Sequence, residues 1–160
     1  MSGGGRQYGK LYMRFHADPT WRALTADAQW LYGHLLSQPM TNGAGVTPLQ
    51  ITKWSKGAGD MTVERIQEAL NVLTRSGHVV VDHDTEELLL RSFIADDSPT
   101  AGTPFVLKGA INRALLVQSV EIRRALVNEI SNLDRELTPE QLDGLQALED
   151  STRLSEGLRP

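Results

Sequence analysis

The residues best equipped for chemistry in this chain lie between positions 53 and 75. A helix predicted over 63–76 turns Glu64, Arg65, Gln67, Glu68, Asn71, Thr74 and Arg75 away from its apolar stripe. Arg, Gln and Asn are the side chains whose donors and acceptors match base edges in a major groove. Lys53 and Lys56 stand at the end of the preceding short helix and its turn, where ammonium groups could hold a phosphate backbone. Glu64 and Glu68 share that surface and would repel phosphates, as a plain solvated face of balanced charge would. A second set, Tyr8, Lys10, Tyr12 and Arg14, interleaves aromatic and basic groups along 8–15. That pattern can stack bases and neutralise a single strand, or it can form a subunit interface.

No catalytic constellation accompanies these groups. GxxxxGK[ST], GxSxG and HExxH are all missing from the sequence, and there is no cysteine to act as nucleophile, zinc ligand or disulfide partner. His16, His34, His78 and His83 are scattered without metal-ligand spacing, and Asp96-Asp97 falls in a stretch with linker composition and no partner. The sequence therefore predicts no enzyme, no metal and no cofactor. Lysine and arginine number nine against nine acids over 1–95, and seven against eleven over 96–160, which gives the overall −4. The basic footprint of most DNA-binding modules is not present globally. No run approaches the length of a membrane span, nor is there a secretory pattern, so a cytoplasmic location in a bacterial host is expected.

The elements that must position these groups follow from periodicity. Residues 1–7 read as a disordered leader. Alternation over 8–15 predicts a strand burying Leu11, Met13 and Phe15. Asp18-Pro19 opens a short helical turn through Leu24. Thr25 caps a helix over 26–38, whose stripe is Ala28, Leu31, Tyr32, Leu35 and Leu36. Val46 can form a minimal strand, and Thr47-Pro48-Leu49-Gln50 reads as a capping box opening a helix to Ser55. Thr62 caps the helix 63–76, which buries Val63, Ile66, Leu70 and Leu73 and stops at Gly77. Residues 78–82 and 87–94 read as a hairpin with Asp82, Asp84, Glu86 and Glu87 around its tip. The tryptophans Trp21, Trp30 and Trp54 sit in apolar helical contexts, as core residues do.

This order predicts an α+β, mostly helical chain. A winged helix (a helix-turn-helix with a C-terminal hairpin) fills 8–95, a linker 96–104 and a helical extension 105–149. A frayed tail is expected over 150–160. Within the extension, helices are predicted over 105–118, 120–133 and 139–149, with Lys108, Arg113, Arg123 and Arg124 as a modest basic set. The first is apolar nearly all round, which asks for cover on two sides.

Three blocks carry a resemblance. YGKLYMRFHADPTWRALTADAQWLYGHLLSQP holds the opening strand and first helices. GVTPLQITKWS and VERIQEALNVLTRSGHVVVDHDTEELLLRSFI hold the helix-turn-helix and wing. FVLKGAINRALLVQSVEIRRALVNEI holds the extension. Over 8–133 the chain resembles phage and actinobacterial winged-helix proteins similar to the N-terminal domains of DnaD-like replication proteins and phage replisome organisers. The motifs are mainly folding motifs. The resemblance implies a DNA-associated protein acting by binding and oligomerisation, in replication initiation or organisation, with no chemistry of its own.

The expected DNA contacts, most simply to duplex, are Lys53, Lys56, Arg65, Gln67, Asn71 and Arg75. The expected homodimer or larger oligomer would form through Tyr8, Tyr12, Ile111, Leu115, Ile122 and Leu126, with a replication or other host or phage protein as a further partner. Two other readings stand beside this one. The first is a sequence-specific transcriptional regulator. The second is a protein-interaction module that retains the winged fold without DNA binding, which the acidic wing and the negative charge suit.

Overall fold

The computed structural model describes residues 9–97 and 104–158. A 3-10 turn, Met13–Ala17, precedes helices α1 (Pro19–Arg22) and α2 (Ala26–Leu36). Strand β1 (Val46–Pro48), helices α3 (Ile51–Trp54) and α4 (Val63–Arg75), and the hairpin strands β2 (Val79–Asp82) and β3 (Glu87–Leu90) follow. Helices α5 (Phe93–Asp97), α6 (Pro104–Ala114), α7 (Val120–Ser131) and α8 (Pro139–Gly157) complete the order. The class is α+β and mostly helical, around one small antiparallel sheet.

The local stop and start signals act as the sequence implies. The Asp18 carboxylate accepts from Thr20 N, Thr25 from Ala28 N, and Thr62 from Arg65 N, each satisfying a backbone donor that a helix start leaves open. Thr138 and Gln141 form a reciprocal capping box on α8. Gly77 ends α4 with φ of 78°, a left-handed conformation that glycine adopts without a Cβ clash.

The sheet runs β1-β3-β2, with β3 central and antiparallel to both neighbours. Side chains of a strand alternate between faces, and here both faces are covered. Leu88 and Leu90 enter a core with α2, α3, α4 and Trp21. Leu89 enters a second core built from Val46, α6, α7 and α8. All three leucines are fully buried. A strand buried on both sides reads as an unbroken apolar run, and Leu88-Leu89-Leu90 is that run.

Several expectations fail for identifiable reasons. Over 9–15, the described part of the strand expected at 8–15, no strand forms. Residues 13–17 coil into the 3-10 turn, leaving Leu11 and Met13 exposed, while Phe15 stacks on Trp21 at 4.8 Å between ring centres. Without a neighbouring strand the alternation earns no ladder bonds, and the aromatic cluster captures Phe15 instead. Tyr8 lies outside the described residues. Thr47 and Pro48 belong to β1, paired with Leu88 and Glu87, so the capping box is absent and α3 starts after Gln50 without a side-chain cap. The second hairpin strand ends at Leu90. Ser92 turns at φ of 63°, and the residues expected to continue as strand and linker coil into α5. The rest of the expected linker, 98–103, lies outside the described residues. Helix α6 stops at Ala114 rather than 118.

The tail and the expected interface need the largest corrections. Helix α8 continues to Gly157, with Thr152 buried and with Ser151 and Ser155 accepting from the buried Arg123. Residues 150–157 are therefore packed helix, not a frayed end. Ile111, Ile122 and Leu126 are at most 1% exposed and lie inside the second core, with Leu115 packed against it. The second side of α6 and α7 is covered by α8 and the sheet, so Ile111, Ile122 and Leu126 are core residues rather than an oligomer interface.

Leu89→Ala should cost about 2–5 kcal/mol, the range for opening a cavity at a fully buried leucine. Leu154→Ala, at a side chain 70% exposed, should change stability by less than about 0.5 kcal/mol. Urea unfolding of the two variants beside the parent chain checks the contrast. Equal midpoints would mean that the two cores do not meet through β3.

Candidate nucleic-acid interface

Helix α4 buries Ile66, Ala69, Leu70 and Leu73 and presents Glu64, Gln67, Glu68, Asn71, Thr74 and Arg75 to solvent. It packs on α2, and α3 lies against it through the fully buried Trp54. The turn between α3 and α4 is tight. A Cβ on Gly57 would stand 2.6 Å from His34 Cε1, so the turn sits directly on α2. Lys53, in α3, and Lys56, on this turn, are exposed and have no ion-pair partner among the described residues.

Arg65 is placed differently from the expectation. Its Nε and Nη2 donate to the two carboxylate oxygens of Asp27 at 2.9 and 2.7 Å, and its Nη1 donates to the Asp60 carbonyl at 2.8 Å. This two-pronged pairing ties the first turn of α2 to the first turn of α4. It holds the Asp27 carboxyl below its ordinary range and strengthens the arginine's hold on its proton. The guanidinium is committed within the fold. Arg75 reaches Glu68 at 3.5 Å, an exposed pair that a phosphate could displace, and the Thr74 hydroxyl is turned back onto the Leu70 carbonyl. The polar side chains of the expected set that remain available are thus Lys53, Lys56, Gln67, Asn71 and Arg75, opposed by Glu64 and Glu68.

The hairpin tip carries no lysine or arginine. Asp82 caps it by accepting from Asp84 N and Thr85 N, and Asp84 and Glu86 are exposed. Its base is tied on both sides. Leu49 N donates to the Glu86 carbonyl at 2.8 Å, and the Glu87 carboxylate accepts from Ser119 N at 2.7 Å at the start of α7. The basic set of the extension is largely spent as well. Lys108 pairs with Glu140, Arg124 with Glu156, and Arg123 is buried against α8. Tyr12 donates to the Asp96 carbonyl and Arg14 pairs with the Asp96 carboxylate, so the carboxylate that reads as partnerless in the sequence has a partner across 82 residues.

Among the described residues no group of acids and histidines is arranged to hold a metal, and no helix is long and apolar enough to cross a membrane. No family model, curated protein or solved structure matches the chain.

Arg65→Ala should lower the unfolding midpoint modestly, since its pairs are partly exposed and screened. Asp27→Ala should do the same, and the double variant should cost less than the sum. Additive losses in chemical denaturation would mean that the pair is not coupled.

The Gln38 amide donates to His34 Nε2 at 2.9 Å, so neutral His34 carries its proton on Nδ1. Burial holds both His34 and His78 below the ordinary 6.5. A histidine with a depressed folded pKa contributes stability that is present above 6.5 and is lost as pH falls below it. The unfolding midpoint should therefore drop between pH 7.5 and 5.5, and His34→Gln should remove part of that slope. A flat profile in the parent chain would contradict the burial of both rings.

Proposed function

We propose that this protein is a non-enzymatic, DNA-associated winged-helix protein of the phage replication type, binding duplex through the α3–α4 surface. One observation carries the reading. Helix α4 stands on α2 and α3 with a polar face of Gln67, Asn71 and Arg75, beside the unpaired Lys53 and Lys56. The order α2, β1, α3, α4, β2, β3, with the sheet packed on the helices, supports the winged-helix assignment. In that arrangement the second helix of the pair enters the major groove while the residues just before it meet the backbone.

Attraction to DNA on this surface is weak by construction. With Arg65 committed to Asp27, two free lysines and Arg75 face Glu64 and Glu68. The tip adds Asp84 and Glu86, which repel phosphate. Binding is then salt-sensitive and shallow, and any base preference rests on Gln67 and Asn71 rather than Arg65.

The same acidic tip and committed Arg65 favour one second reading, a protein-interaction module on a winged scaffold. Self-association, if it occurs, must use a surface other than the buried faces of α6 and α7.

The deciding experiment is a mobility shift with random-sequence duplex at about 50 and 200 mM salt. The parent chain should bind at the lower salt, and Lys53→Glu with Lys56→Glu together should abolish the shift. Replacing Asp84 and Glu86 by lysine should tighten binding. A double glutamate variant that shifts duplex as well as the parent removes α3–α4 as the DNA surface. No shift by any form at low salt selects the protein-interaction reading.

A further inference from the structure

At the far end of α4 from Lys53 and Lys56 lies a polar cavity of about 320 Å3. Its walls come from the 3-10 turn, α1, α2, the end of α4, the end of β3, and α5, so it sits where the N-terminal segment closes over the sheet. It is within the size range of small-ligand pockets.

One wall is made of donors. Arg91 spends only its Nε on Glu129, at 2.7 Å, and its two terminal nitrogens have no hydrogen-bond partner among the described residues. Arg14 spends one terminal nitrogen on Asp96, leaving its Nε and other terminal nitrogen. The hydroxyls of Ser92 and Tyr32 donate to nothing within the described chain, although Tyr32 is only 4% exposed. One carboxylate holds each guanidinium, Glu129 for Arg91 and Asp96 for Arg14, without using all its N–H groups, which preorganises the rest. Ser92 itself is held in a left-handed conformation, φ 63°, which a non-glycine residue adopts only at a cost. The Glu129 carboxylate accepts its N–H at 3.1 Å and sustains that turn beside Arg91.

The rest of the lining offers acceptors. Ser76 donates its hydroxyl proton to the Leu73 carbonyl at 3.0 Å, so His78 donates from Nδ1 to Ser76 at 2.8 Å. Neutral His78 is then left with Nε2 as a lone-pair acceptor. Asp18 accepts from the Thr20 backbone and hydroxyl through one oxygen and lines the same cavity as His78.

We propose that this cavity binds a small phosphorylated molecule, the phosphate monoester seated on Arg91, Arg14, Tyr32 and Ser92 and a hydroxyl or amino donor facing His78 and Asp18. The donors come from three separate elements and so approach from different directions. A tetrahedral oxyanion offers acceptors on every side, whereas a planar carboxylate would satisfy one guanidinium fork. Formal charge in the lining is balanced, with Arg14 and Arg91 against Asp18 and Asp96, so directed donors rather than a net field select the ligand. The inference does not depend on the DNA reading.

The test is calorimetric titration of the full chain with ribose 5-phosphate, ribose, inorganic phosphate and acetate. Ribose 5-phosphate should bind at one saturable site below about 10 mM, inorganic phosphate more weakly, and ribose and acetate not detectably. Arg91→Gln should weaken binding roughly tenfold or more, the usual loss for a hydrogen bond to a charged group. Tyr32→Phe keeps the ring packing and should weaken it several-fold, which decides the matter if Arg91→Gln does not fold. Lys53→Glu with Lys56→Glu should bind ribose 5-phosphate as the parent does, separating this site from the α3–α4 surface. No saturable binding of either phosphate, unchanged binding by both cavity variants, or equal affinity for acetate overturns the proposal. Competition between ribose 5-phosphate and duplex, together with DNA binding weakened by Arg91→Gln, also overturns it, since the cavity would then be a seat for the DNA backbone.

Discussion

The double burial of β3 is the constraint on which the rest of the molecule depends. Leu88 and Leu90 belong to one core and Leu89 to the other, so neither core is complete without the same four-residue strand. A one-residue slip in its register would exchange the two sets and place each leucine in the wrong core. Pairing with β1 on one side and β2 on the other fixes that register. The Glu87 carboxylate, at the first position of β3, then meets the open N–H groups of Gln118 and Ser119 ahead of α7. Strand, hairpin and helical extension are thereby held as one packed body, with α8 as the outer lid of the second core.

This packing explains why the charge pattern in the sequence misleads. Arg65, Lys108, Arg123 and Arg124 read as solvent-facing cations when each helix is considered alone. Folded, each finds a carboxylate or hydroxyl on a different element, 28 or more residues away except for Arg65's second contact with Asp60. The cations left on the α3–α4 surface are those outside the helix–helix seams. A surface of that kind gains little from long-range steering. On the proposed reading it depends on close fit at α4.

Signals confined to a few residues were legible. Asp18, Thr25, Thr62 and Thr138 mark helix starts because a short oxygen-bearing side chain next to an apolar stripe has one favourable use. Gly77 marks a stop for the same kind of local reason, and the stripe of α4 identifies its buried face. What failed was non-local. Alternation over 8–15 shows which residues could share a face, but not whether a strand exists to pair with them. The triple leucine of β3 signals burial without saying that two different cores divide it. Apolar faces on α6 and α7 demand cover, and the sequence does not say whether α8 or a second chain supplies it. Asp27 and Arg65 are 38 residues apart, and no local pattern announces their pairing. The polar cavity at the end of α4 is the extreme case, since six segments contribute to it and its two arginines look unremarkable in each.

Rigidity decides what such a body can do with a partner. The tip of the hairpin is capped by Asp82, tied to Leu49 through the Glu86 carbonyl, and anchored to the extension through Glu87. The α4 start is fixed to α2 by Arg65. Surfaces held this firmly lose little conformational entropy when a ligand arrives, so even a modest set of contacts can register as binding. They also have little freedom to rearrange around a poor match. Since Glu64 and Glu68 cannot be folded away from α4, a duplex approaching this face must meet them together with Gln67 and Asn71. Discrimination would then arise as much from where phosphates are refused as from which bases are contacted, which is how a nearly neutral surface can still be selective.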